Sequence, residues 1–160
     1  MFVKTHRILF IVFFCAASFT NLMAQPIKKP LVKFKPPIVT TSLLNYSGKI
    51  TSCFADEAKQ LITFPIKVMD AKKNVYTIVS FGFAYTRLGF TEDEATGKAS
   101  PQSDVVGRNF TGLENPLPTV WQTNIIETIH QGEQLYFYDV FVKDNQNRMF
   151  IAPSLKISIK

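Results

Sequence analysis

The sequence predicts an all-β fold: an antiparallel β-sandwich with one short helix before the final hairpin. Three observations point there. Runs rich in aromatic and β-branched residues recur along the chain, separated by short polar breaks. Only one stretch, beginning at Thr119, repeats its apolar residues at helical spacing. Helices therefore do not alternate with strands, which disfavours parallel βαβ units and favours two antiparallel layers. The chain has 160 residues, 46% of them hydrophobic and fifteen of them Phe. A chain of that size buries about two-thirds of its unfolded surface, so one domain with one core is expected.

Residues 1–24 read as a secretory signal. Lys4 and Arg7 give a positive start, Ile8–Phe19 is an apolar run, and Ala24 precedes the expected cleavage point. The run is short for a membrane span, which needs roughly 20 apolar residues; an uncleaved anchor is the alternative. Cys15 lacks the small preceding residue of a lipoprotein signal. The expected mature chain is exported, with the periplasm as its compartment, and keeps one cysteine, Cys53, so no internal disulfide can form.

Residues 25–37 form a Pro/Lys-rich linker. Pro26, Pro30, Pro36 and Pro37 alternate with Lys28, Lys29, Lys33 and Lys35, which favours an extended tether over helix or interior strand. A second reading makes it a basic arm in weak contact with anionic membrane or peptidoglycan. These lysines, with Lys4 and Arg7, account for the net charge of +6. From Pro37 onward twelve Lys and Arg face twelve Asp and Glu. That balance does not support nucleic-acid binding.

The single domain is expected over residues 38–160. Ile38–Leu44 and Gly48–Phe54 are short strands, and Asp56–Lys59 is a turn or a single helical turn. Leu61–Met69 alternates Ile62, Phe64, Ile66 and Val68 with polar residues, and Pro65 places it at an edge or bulge. The polar break 70–74 makes it a hairpin with Val75–Leu88, whose odd residues from Val75 to Tyr85 share one face. Gly89–Pro118 lacks sustained periodicity and is expected to be a long loop, with a short strand at Val105–Thr111. Thr119 then caps a helix with the stripe Trp121, Ile125 and Ile129, Gln122 stands at capping-box spacing, and Gly132 ends the segment. Leu135–Val142 and Met149–Ile159 form the last hairpin around 143–148.

Two stretches resemble the C-terminal periplasmic domains of the gliding-motility GldM family. The first is Trp121–Ile159, with Gln131-Gly132-Glu133-Gln134, the strand Leu135-Tyr136-Phe137-Tyr138-Asp139-Val140, the basic turn residue Arg148, and the closing Leu155-Lys156-Ile157-Ser158-Ile159. The second is Thr77-Ile78-Val79-Ser80-Phe81. The resemblance implies an immunoglobulin-like β-sandwich in the envelope of a Bacteroidetes-type bacterium, related to the type IX secretion and gliding machinery. With room for one such domain and no membrane helix after processing, the chain is expected to be a free-standing relative and not the shaft itself. Its expected partners are envelope proteins.

No catalytic constellation stands out. Cys53 lies in a strand-like run, where a buried thiol is the ordinary outcome, and His130 sits at a helix end, where it answers the dipole. One cysteine and one histidine fall short of a zinc site. Glu92, Asp93 and Glu94 lack EF-hand spacing but offer an acidic contact point. Strict alternation places Asp139 on the face of Leu135, Phe137 and Phe141, partly buried, with Tyr136, Tyr138, Val140 and Val142 opposite as a possible interface. Trp121, Gly132 and Asp139 are read as structural. The expected function is protein interaction without enzymatic activity or cofactor; the alternative is a small-ligand carrier with an aromatic-lined cavity.

Overall fold

The structure, a computed structural model, describes residues 34–160. The expected signal, Cys15 and most of the Pro/Lys-rich linker lie outside the described residues. Nine strands and two helices follow in the order β1 Val39–Leu43, β2 Tyr46–Ser47, β3 Thr51–Cys53, α1 Ala55–Leu61, β4 Ile66–Asp70, β5 Val75–Glu92, β6 Ala99–Thr111, α2 Thr119–Thr128, β7 Gln134–Lys143, β8 Met149–Ala152 and β9 Leu155–Ile159. A single 3-10 turn, Gly112–Glu114, follows β6.

The strands run in the spatial order β2-β1-β4-β5-β7-β9-β3, with β6 added to β5 and β8 to β7. The protein is mostly β, as expected, but its sheet is mixed and nearly barrel-shaped. The expectation of purely antiparallel pairing fails at one place: β3 runs parallel to β9, Thr51 to Cys53 beside Ile157 to Ile159. The cause is connectivity. β2 and β3 are consecutive in the chain yet occupy opposite ends of the strand order. Joining them by residues 48–50 brings the two ends together, and β3 arrives alongside the final strand. The N–H of Lys160 closes the seam on the carbonyl of Cys53 at 2.8 Å.

The interior is aromatic. Phe81 and Phe83 each meet both Phe110 and Phe137, and Trp121 stands edge-on to Phe83 and Phe110 with centroids at 5.9 and 5.4 Å. Such edge-to-face contacts add to the area that the rings bury. Ile125 and Ile129 seat α2 on this cluster, both fully buried. The helix begins one residue earlier than a Thr119 cap requires: Pro118 is the N-cap, and Trp121 and Gln122 donate their N–H groups to its carbonyl. Gln122 sends its side-chain amide back to Leu117 O and makes no capping box. Gly132 has φ +90, a left-handed conformation that glycine adopts without strain, and a Cβ there would overlap the Leu88 side chain.

Three further expectations are corrected. Leu61 and Ile62 belong to the end of α1 and not to a strand, because Ala58, Leu61 and Ile62 form a buried i, i+3, i+4 stripe that outweighs the period-2 pattern. The described residues thus hold two helices, α1 being anchored by Glu57, which accepts the Phe54 N–H at 3.0 Å. Gly89–Pro118 is not a long loop. β5 continues to Glu92 and β6 returns from Ala99, paired without a register shift from Ser80↔Thr111 to Glu92↔Ala99. Met149–Ile159 is broken at Pro153-Ser154 into β8 and β9, both in register on β7. The buried hydroxyl of Thr41 donates to the Pro153 carbonyl at that break.

Opposite the break lies the feature that decides which side chains face inward. Gly82 pairs with Tyr138 and Ser80 with Phe141, so Asp139 and Val140 together oppose Phe81 alone. This is a β-bulge, with Asp139 at φ +46. A second shift between Ile78 and Ser80 leaves Val79 as the extra residue on β5 and restores the register. Each bulge slips the side-chain alternation by one. On β7 the buried positions are Leu135, Phe137, Val140 and Val142, and Asp139 is exposed. On β5, Val75 and Thr77 point to solvent although Phe81, Phe83 and Tyr85 are buried.

Candidate interaction surface

Two surfaces expose ordered apolar side chains. The first is the outer face of β7 and β8. Tyr136 and Tyr138 stack there at 5.4 Å, with the Lys156 ammonium 6.0 Å from the Tyr136 ring centre. The Tyr138 ring lies over Gly82, where any Cβ would collide with it. Phe141 and Ile151 continue the face as a cross-strand pair, Ile151 being 61% exposed, and Met149 follows at 56%. Val140 and Val142, expected beside the two tyrosines, are fully buried and belong to the core. The bulge at Asp139 removes them from this face and brings Phe141 to it. Asp139, expected to be partly buried, is exposed for the same reason.

The second surface is the β5–β6 arm. β5 pairs with β7 only as far as Thr86; from Arg87 to Glu92 it pairs with β6 alone. From Leu88, whose N–H is taken by a side chain, the ribbon runs past the sheet with neither strand paired on its outer edge among the described residues, carrying Leu88 at 49%, Phe90 at 80% and Val105 at 61% exposure. Two ion pairs span its base, Arg87–Asp104 at 3.1 Å and Arg108–Glu114. The Arg108 guanidinium also lies 4.5 Å from the Phe110 ring centre. Between arm and helix is a groove of about 270 Å³ lined by Arg87, Val106, Val120, Trp121 and Asn124.

At the tip, the triplet Glu92, Asp93 and Glu94 divides by role. Asp93 builds the turn: its carboxylate accepts the N–H groups of Ala95 and Thr96 at 2.9 Å each. Those bonds, that from Thr96 foremost, hold its pKa below the usual carboxylate value. Glu92 and Glu94 remain exposed. Asp70 and Asp144 begin their hairpin turns in the same way, each accepting main-chain N–H groups two and four residues ahead. Among the described residues no three His, Cys, Asp or Glu side chains gather as ligands for a metal.

The arm is tied down at its root by a residue the sequence reading did not single out. Glu133 is 3% exposed, and its carboxylate accepts from the Tyr85 hydroxyl, the Leu88 N–H at 3.2 Å and the His130 N–H at 2.8 Å. Burial, reinforced by this carboxylate, pushes the Tyr85 hydroxyl well above its ordinary pKa. The available signal was the spacing His130-x-x-Glu133 around Gly132, in which an acid three residues on can reach back to an open helix end.

The candidate catalytic groups have structural surroundings. Cys53 is buried, and burial followed by the charge of Glu57 raises its thiol to about 11, leaving no thiolate nucleophile near neutral pH. The Nδ1 of His130 is 2.7 Å from the Ile129 carbonyl. No helix among the described residues is long and apolar enough to cross a membrane. No family model matches the chain, and no curated protein matches it.

Proposed function

We propose that the chain is an exported, non-enzymatic interaction module of the bacterial envelope, an immunoglobulin-like relative of the GldM-type periplasmic domains. It recognises an envelope protein through the β5–β6 arm, with the tyrosine face of β7 as a second contact and Glu92 and Glu94 as charged rim. The basic stretch 25–37 adds weak attraction to anionic lipid or peptidoglycan.

The observation that carries this reading is Phe90, 80% exposed on a ribbon whose backbone is hydrogen-bonded on one side only. Large apolar side chains on an ordered strand bind with little loss of conformational freedom. Support also comes from the signal layout of residues 1–24 and from the two stretches resembling GldM-type domains.

The test is affinity capture from envelope extract of the source organism, comparing the protein with Phe90→Ser and with Lys49→Ala as a remote control. A protein captured by the parent and by Lys49→Ala, but lost with Phe90→Ser, is the expected result. Capture indifferent to Phe90, Tyr136 and Tyr138 alike would remove the reading.

A further inference from the structure

We propose that two copies of this chain pair edge to edge through β6, antiparallel about Val106. The inference rests on the arm being the working surface and names a second copy as what fills its open edge.

Among the described residues β6 pairs with β5 alone, through thirteen consecutive pairs without a bulge. Which main-chain groups face outward follows from its two ends. The N–H of Thr111 is given to the Glu114 carboxylate at 3.0 Å and so is turned away from β5. Pro101, with no N–H to give, stands at a position of the same parity. Alternate residues of a strand direct their main-chain groups to opposite edges, so Ser103, Val105, Gly107 and Asn109 face the same way as Thr111. All four are exposed. Among the described residues no lysine, bulge or covering strand guards the stretch from Ser103 to Asn109, and its two charged side chains, Asp104 and Arg108, are opposite in sign.

These open donors are distributed symmetrically about Val106. A second β6 laid antiparallel on that centre sets Ser103 against Asn109 of its mate and Val105 against Gly107. Every open donor then finds a carbonyl, giving about eight main-chain hydrogen bonds. The ladder stops by itself at both ends, because Pro101 meets a Thr111 whose N–H Glu114 already holds. The same register sets Asp104 opposite Arg108 of the mate. Within one copy Asp104 already binds Arg87, and Arg108 binds Glu114. Pairing joins the two into an alternating row, Arg87–Asp104 followed by Arg108–Glu114 of the mate. Val106 and the 80% exposed Val120 border the groove beside this axis, so pairing also covers apolar surface. An unrelated strand would satisfy the donors without matching the charges; a second copy does both.

Sedimentation of the purified protein over a range of concentrations, with two variants, tests the proposal. The expected mass doubles as concentration rises. Val106→Cys lies on the two-fold, where directly opposed residues approach within about 4.5–5.5 Å between Cα atoms, and mild oxidation gives a disulfide-linked dimer. Ser103→Cys, off the axis, gives none. Val105→Pro removes one outward donor, leaves the β5 ladder intact by circular dichroism, and returns the protein to monomer. A protein that stays monomeric and yields no Val106→Cys cross-link overturns the proposal, as does a dimer unchanged by Val105→Pro or linked through Ser103→Cys. A monomer that loses a captured envelope protein on Val105→Pro assigns the edge to a foreign strand and equally overturns self-pairing. A monomer whose capture still depends on Phe90 removes the dimer and leaves the interaction reading standing.

Discussion

Glu133 is the residue on which three buried or part-buried donors converge. A carboxylate taken out of water must be surrounded by donors, and here they come from β5 (Tyr85 and Leu88) and from the residue following the α2 C-cap (His130). The arrangement is directional: the Leu88 N–H lies two residues beyond the last pair of β5 with β7, Thr86↔Gln134, so Glu133 holds the arm where it leaves the sheet. Replacing Glu133 by Ala leaves these donors without their acceptor. The cost of orphaning buried donors puts the expected loss on the order of 3 kcal/mol, measurable by urea denaturation. Glu133→Gln keeps an acceptor oxygen and is expected to lose less. Equal losses for the two variants would mean that filling space, and not accepting these bonds, is what position 133 contributes.

The bulge at Asp139 works at the scale of the element, because it sets the inward face of a whole strand. A residue at φ +46 carries strain that glycine does not, amounting to roughly 1 kcal/mol. Asp139→Gly is therefore expected to leave stability unchanged or raise it by up to about 1 kcal/mol, whereas Asp139→Val lowers it by about 1–2 kcal/mol. Thermal denaturation separates the two outcomes, and a valine variant as stable as the parent would show that the bulge is not held in this conformation. The same bulge marks the limit of what the sequence discloses. Leu135 and Phe137 were legible as core because period 2 holds up to Tyr138. Val140 and Val142 were not, since one inserted residue inverts every later position and nothing local to Val-Phe-Val announces it. The α2 stripe was legible because Ile125 and Ile129 repeat at helical spacing on one buried face. The first half of β6 was not, for the opposite reason: from Ala99 to Val105 both faces are in water, its residues have no cause to alternate, and Ser100-Pro101-Gln102-Ser103 carries no periodic signal. Glu133 was hidden in a third way, as an ordinary acid in a polar turn whose partners lie 45 and 48 residues away.

For the molecule as a whole, closure and projection are separate devices. The short link from β2 to β3, and the parallel pairing of β3 with β9, complete the core without any contribution from the distal arm. The buried residues of β5 end at Tyr85, and every residue from Leu88 to Asp104 is exposed, Leu88 least among its large apolar side chains. A segment with so little buried apolar surface contributes little to global stability and opens locally. Excising Phe90–Pro101 and joining Gly89 to Gln102 through Asn-Gly, a two-residue turn suited to a hairpin, should therefore leave the folding free energy within about 0.5 kcal/mol of the parent. The root at Glu133 and the ion pair Arg87–Asp104 survive this cut, so the sheet below it keeps its geometry. Capture of an envelope protein, which the proposal places on Phe90, is expected to disappear. Urea denaturation and affinity capture on the one variant thus measure the two devices independently. A shortened protein that unfolds much earlier would make the arm part of the core, and one that still captures its partner would place recognition on the tyrosine face of β7.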